Sequence, residues 1–212
     1  MSTPVKQYYA LQGKKIIEAF KKRNIEAYYC STKEEASKQI LQLIPKNSSV
    51  SWGGSMTLKA LHIQQKLQEK SYDVLDRSLA KTPQEIEQLY HDALSCDYYL
   101  MSSNAITLDG KLVNTDGTGN RVAALIYGPK NVIIVAGMNK VVADENAALM
   151  RVKNQAAPIN ALRLNKNTPC TKTGKCGDCL SDDSICAHTV ITRMSRIPNR
   201  IKVILVGESL GY

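Results

Sequence analysis

The chain has 212 residues, 43% of them hydrophobic and 22% charged, an ordinary globular composition and a length that suits one full domain with a small appendage. No run approaches the roughly 18 apolar residues of a membrane span, residues 132–138 being among the longest. The polar start MSTPVKQYYALQGKK lacks a secretory h-region and cleavage site, so no membrane span is expected and the cytoplasm is the expected compartment. A net charge of +9 raises the question of nucleic acid, but aromatic residues make up only 6% of the chain. There is no block of five like charges and no helix-turn-helix, zinc-finger or RNP signature, so nucleic acid is not expected as a partner. A basic surface equally attracts small anionic metabolites.

Apolar runs and helical patterns alternate along the chain. Ser2-Thr3-Pro4 reads as an N-cap followed by Pro in the first turn of a helix to about residue 23, with Val5, Tyr8, Tyr9, Ile16 and Phe20 near one face. Residues 28–30 form a short strand. Ser31 with Glu34, or Thr32 with Glu35, makes a capping box that opens a helix to about residue 43. A strand at 49–52, a helix near 57–69 and a strand at 72–75 follow, then Thr82-Pro83 with Glu85 caps a helix ending near residue 94. After a strand at 97–101, alternating apolar residues over 106–114 flank Asp109-Gly110, a pair suited to a tight hairpin turn, and predict an antiparallel insertion. Residues 120–126 read as helix, 131–136 as a buried strand, 144–156 as helix and 201–206 as a last strand. Strands separated by helices predict an α/β fold with a mostly parallel sheet covered on both faces. The expected division is a core over residues 1–165, a cysteine-rich loop over 166–190, and 191–212 returning a final strand to the core.

Four of the six cysteines crowd into one segment: Cys170, Cys176, Cys179 and Cys186, spaced C-x5-C-x2-C-x6-C. A loop rich in Gly, Lys and Asp has no packing core of its own, and four sulfurs can close around one zinc or bind the irons of a cubane cluster. Disulfides are disfavoured in a reducing cytosol, and structural thiols do not normally gather in such a loop. The spacing matches neither a paired zinc ribbon nor the ferredoxin runs, so both metals stay open on spacing alone. His188 offers a nitrogen donor, but the cysteines already supply four ligands. Cys30 and Cys96, in or beside strands, are expected to pack in the core. His62 and His91 are expected on helix surfaces, and Asp109 serves the turn.

Two glycine-containing loops are candidate anion sites. In SWGGSMTL a strand ends in Gly53-Gly54 and a helix begins, with Ser51, Ser55 and Thr57 supplying hydroxyls, a geometry suited to phosphate or carboxylate. In DGTGNR, Gly117, Thr118, Gly119 and Asn120 precede Arg121, whose guanidinium could fork onto an oxyanion. Asn104, after the 97–101 strand, and Asn139 and Lys140, after the 131–136 strand, fall beyond strand carboxyl ends, where open parallel sheets place ligands. Walker, dinucleotide, serine-hydrolase and zincin signatures are absent. No catalytic residue is identified.

SWGGSMTL, NAITLDGKLVNTDGTGNRVAALIYGPKNVIIVAGMNKVV and TPCTKTGKCGDC together resemble the LUD (lactate utilization) domain family, from about residue 14 to 212. The resemblance implies the three-layer α/β fold shared by ribose-phosphate isomerase, glucosamine-phosphate deaminase and CoA-transferases. It also implies a place in an L-lactate-oxidising system, because some relatives belong to complexes that oxidise L-lactate to pyruvate with iron–sulfur subunits carrying the electrons. The expectation is therefore a cytoplasmic protein that binds a carboxylate or phosphate and carries an iron–sulfur cluster on its cysteine loop, with a redox partner protein and a homo-oligomeric assembly. The alternative is a non-redox isomerase- or transferase-like enzyme, or a regulatory binding module, with structural zinc.

Overall fold

The computed structural model describes residues 3–212; Ser2 of the expected first cap lies outside the described residues. Ten strands fall into two sheets. The six-stranded sheet is wholly parallel and is built from β1 (Glu26–Cys30), β2 (Ser49–Trp52), β3 (Asp73–Leu75), β4 (Tyr98–Met101), β7 (Asn131–Gly137) and β10 (Ile201–Val206). Their order across the sheet is β1-β10-β7-β4-β2-β3. β10, paired on both sides by β1 and β7, is buried at every residue, as expected of a parallel strand covered on both faces.

Helices cover both sides. Ile16 and Phe20 of α1 (Thr3–Lys21) share one core with Ala124 and Leu125 of α6 (Asn120–Ile126). Ile40 of α2 (Lys33–Leu43) shares the other with Leu58 of α3 (Met56–Ala60) and Leu67 of α4 (Ile63–Gln68). The result is the expected three-layer α/β fold. Each fully buried aliphatic side chain contributes roughly 1.5–3 kcal/mol relative to exposure, so these two cores carry the fold. Cys30 and Cys96 are buried in them, one in each, and burial pushes both thiols up to about 11. Among the described residues no helix is long and apolar enough to cross a membrane.

Local signals explain most boundaries. Thr32 and Thr82 cap α2 and α5 (Pro83–Asp92), each hydroxyl accepting from the backbone N–H three residues on, so of the two boxes considered at residues 31–35 it is Thr32 with Glu35 that forms. The expected helix over 57–69 is instead two short helices, broken where His62 takes φ 52°. At 3.6 residues per turn, an unbroken helix would point Ile63 and Leu67 about 140–180° away from Leu58. The break brings all three onto one buried face. The helix expected to end at residue 156 runs on. α7 (Glu145–Arg151) passes through a π-helical turn at Val152–Ala156, which accommodates Pro158, into α8 (Ala157–Arg163).

The hairpin belongs to a second, four-stranded sheet ordered β8-β5-β6-β9. β5 (Ala105–Thr107) and β6 (Leu112–Asp116) pair antiparallel. In the turn only Gly110 has positive φ, at 83°, and its N–H donates to the Thr107 carbonyl, a type I turn with a glycine bulge. β9 (His188–Thr192) adds antiparallel to β6, and β8 (Val141–Val142) adds parallel to β5. Neither strand was expected from sequence. Between α8 and β9 lies the cysteine segment, opened by the short helix α9 (Pro169–Thr173).

Candidate functional site

β2, β4 and β7 run in one direction, and their carboxyl ends open on one crevice. The chain leaving β2 turns to one face of the sheet through α3, while α6 covers the other face. The resulting gap is where open α/β sheets accept ligands. A cleft of about 300 Å³ occupies it. Gly54 and Ser55 line it from the β2–α3 loop, and Asn104 from the loop after β4. Gly117, Thr118, Asn120 and Arg121 line it from the β6–α6 loop, and Lys140 from the turn after β7. The two glycine loops therefore meet.

Other expected site residues lie beneath or beside the cleft. Ser51 is buried and donates to the Leu75 carbonyl at 2.9 Å. Gly53 lies under Arg121; a Cβ there would come within 3.1 Å of the Arg121 Cδ. Gly119 takes φ 90° and donates to Asp116 Oδ1 at 3.0 Å, fixing the loop. Asn139 donates to the Gly211 carbonyl and accepts from the Leu210 N–H, so it anchors the C-terminal residues that close one side. Ser55 caps α3, accepting from the Leu58 N–H. That helix has five residues, and side-chain cations rather than its dipole make the crevice positive.

Arg121 spends its guanidinium inside the protein. Nη1 donates to the Ser102 carbonyl and to Asn114 Oδ1, Nη2 donates to Asn104 Oδ1 and the Thr115 carbonyl, and Nε pairs with Asp116 at 3.2 Å. A guanidinium has five N–H donors, and all five are committed here. Arg121 is a strut that ties the segment after β4 and strand β6 to α6, and the fork onto an oxyanion expected from sequence has no free donor to make it.

Lys140 is different. The residue is 4% exposed, and its Nζ donates to Thr57 Oγ1 and Ser102 Oγ, each at 3.0 Å. Among the described residues no carboxylate lies within 4.0 Å of it. Burial, with the positive charges of Arg151 and Arg121 nearby, pushes its amine down to about 7. Thr57, fully buried, thus serves the site by holding Lys140. Arg151 reaches the same region, donating from Nη1 to the Asn104 carbonyl at 2.6 Å while its Nη2 has no partner.

Sequence reasoning missed Ser102 and Ser103, although their place just past β4 is the same signal that found Asn104. It also missed Arg77, Arg163 and Lys166, which reach the cleft from a 3-10 turn and from α8 and the segment beyond it; nothing local marked them. The lining carries five cationic side chains, Arg77, Arg121, Lys140, Arg163 and Lys166, against one acidic side chain, Asp116. Asp116 is taken by Arg121 and Lys166 pairs with Asp183, which leaves Arg77, Lys140 and Arg163 without an acidic partner among the described residues. Such a surface selects anions.

The cysteine segment forms one wall. Ile185 and Lys166 line the cleft, and a Cβ on Gly117 would sit 3.1 Å from the Ile185 Cα. Cys170, Cys176, Cys179 and Cys186 are all free thiols. Cys186 is exposed at the loop surface, yet the protein around its sulfur and then the charges of Cys176, Cys170 and Cys179 push it up to about 11. The donor set suits a four-thiolate centre. Among the described residues, however, no three His, Cys, Asp or Glu side chains are disposed to hold a metal ion, so ligation requires the loop to tighten.

The LUD domain family model matches residues 13–206. Among solved structures, a DUF162 family protein from Deinococcus radiodurans superposes with a TM-score of 0.52 at 14% identity, covering 95% of this chain and 98% of that one. Ribose 5-phosphate isomerase A from Methanocaldococcus jannaschii gives a TM-score of 0.41 at 14% identity, over 84% of this chain and 95% of its own. No curated protein matches the chain in sequence.

Proposed function

The chain belongs to the LUD domain family, and from that premise we propose that it is a lactate-utilization-type protein that binds a small organic acid or phosphate in the cleft beyond β2, β4 and β7. One observation carries this reading: Lys140, Arg77 and Arg163 converge on one concave surface without a carboxylate of their own. Leaving the buried Lys140 and the half-buried Arg77 without a counter-charge is unfavourable, and an oxyanion in the cleft offsets it. Ser102, which accepts from Lys140 Nζ, adds a hydroxyl to the lining. The test is a thermal-shift and calorimetric screen of small carboxylates and inorganic phosphate. A ligand at 100 times its Kd stabilises the folded state by about 2.7 kcal/mol. Lys140→Met and Arg163→Met should each weaken the hit about tenfold or more, as expected for a charge-assisted hydrogen bond. A screen in which no anion shifts the melting temperature overturns the reading.

A second reading, favoured by the four free thiols gathered in one segment that lacks a packing core of its own, assigns the loop an iron–sulfur cluster. Cys170, Cys176, Cys179 and Cys186 would hold it, and when bound it supplies one-electron transfer to a redox partner. Zinc on the same four sulfurs would make the loop structural.

A further inference from the structure

We infer that Lys140 is a nucleophile that condenses with the carbonyl group of a small 2-oxo acid held in the cleft. The inference rests on the anion-binding reading above and adds covalent chemistry to it.

The geometry around the amine is the first argument. Nζ donates two hydrogen bonds, to Thr57 Oγ1 and Ser102 Oγ. In the neutral amine those are its only two hydrogens, so the lone pair takes the remaining tetrahedral direction. The hydroxyls are themselves fixed, because Thr57 Oγ1 also donates to the Leu210 carbonyl at 3.2 Å and Ser102 Oγ lies 3.4 Å from Thr57 Oγ1. A lysine used only to hold charge is normally paired with a carboxylate; this one is surrounded by hydroxyls and flanked by the cations Arg151 and Arg121. Burial beside other cations is how proteins obtain a free amine near neutral pH.

The ligand class follows from the neighbours. The amine calls for a carbonyl carbon, and the guanidinia of Arg77 and Arg163, which have no acidic partner among the described residues, call for a carboxylate. A 2-oxo acid joins the two on adjacent carbons. The step balances without an oxidant. The Nζ lone pair forms a C–N bond as the carbonyl π pair moves to oxygen. Ser102 or Thr57 relays one proton from nitrogen to that oxygen, giving a neutral carbinolamine; a second proton, taken up from solvent, then lets the C–O bond break with release of water and leaves an iminium.

Pyruvate with sodium cyanoborohydride tests this on the wild-type protein. Hydride transfer to the iminium carbon converts it to a stable secondary amine, which peptide mass mapping locates. At pH 7 an ordinary lysine has about one amine in a few thousand unprotonated, so Lys140 should label at least about tenfold faster than any other lysine. Thermal shift is read in parallel with pyruvate and with L-lactate, which has the carboxylate but no carbonyl. The expected result is stabilisation by both acids and labelling of Lys140 by pyruvate alone. Stabilisation by both without preferential labelling of Lys140 overturns the nucleophile and leaves the anion site standing. No stabilisation and labelling spread over surface lysines overturns both. Lys140→Arg keeps the charge, and it should bind both acids and show no lysine labelled above the background rate.

Discussion

Replacing Lys140 with Met should change how stability depends on pH. In the folded protein the amine sits at about 7, against 10.5 for an ordinary lysine. Between those values the unfolded chain holds a proton that the folded chain has released, so stability rises with pH through that interval. The burden of the buried ammonium is greatest below pH 7 and fades as pH climbs toward the unfolded value. Above about pH 8.5 the buried thiols Cys30 and Cys96 and the Cys186 thiol, all raised to about 11, act in the opposite direction, because the unfolded chain loses their protons first. The clean window is therefore pH 6.5–8.5, where Lys140 should contribute a rise on the order of 2 kcal/mol, at 1.36 kcal/mol per pKa unit once its folded value is passed. The groups that face it are Arg151 from α7 and the Arg121–Asp116 pair from α6 and β6; none of them changes charge in this window in a variant that differs only at residue 140. Urea unfolding at pH 6.5, 7.5 and 8.5, in buffers free of carboxylate and phosphate, should show wild type gaining on Lys140→Met across the series. Parallel curves for the two proteins would refute the assignment of a depressed amine.

Two further predictions concern the supports of the site. Arg121→Ala leaves Asp116, which is 9% exposed, without its cation and orphans the acceptor on Asn114, so urea unfolding should show a loss of about 3–5 kcal/mol. Arg121→Lys restores the charge but not the five-donor fork and should recover less than half of that; a loss under about 1 kcal/mol for Arg121→Ala would contradict the strut. For the cysteine loop, protein purified anaerobically should contain iron and inorganic sulfide with a visible absorption band, and Cys176→Ser with Cys179→Ser should lose both. A colourless protein with one zinc would overturn the electron-transfer reading and keep the four-thiolate site, and a metal-free protein would overturn both.

The parts of this fold that could be read from sequence are those governed by local rules. Thr32 with Glu35 and Thr82 with Glu85 announced their helices because a capping hydroxyl acts within three residues, and the apolar runs at 131–136 and 201–206 announced strands buried on both faces. Long-range effects stayed hidden. The break at His62 is set by which face Ile63 and Leu67 must share with Leu58, a demand made by the sheet and not by the segment. β9 at His188–Thr192 alternates weakly and exists because β6 offers an open edge. The site followed the same division: Asn104 and Lys140 were found from their places past strand ends, whereas Arg77 and Arg163 enter from elements remote in sequence. Arg121 was picked out correctly as close to the site but for the wrong donors, since only the structure shows that Ser102, Asn104, Asn114, Thr115 and Asp116 have already claimed them.

The two tasks given to the cleft make different demands on one amine, and its position reconciles them. An ammonium attracts an anion; a nucleophile must be neutral. Near pH 7 Lys140 is held between the two forms, so neither requires a large rearrangement. The guanidinia of Arg77 and Arg163 remain charged at any pH the protein meets, and can hold a carboxylate whichever form Lys140 takes. The separation of roles also accounts for the absence of a carboxylate beside Lys140. An aspartate there would fix the ammonium and remove the lone pair, whereas Thr57 and Ser102 accept hydrogen bonds from either form and leave the choice to the ligand.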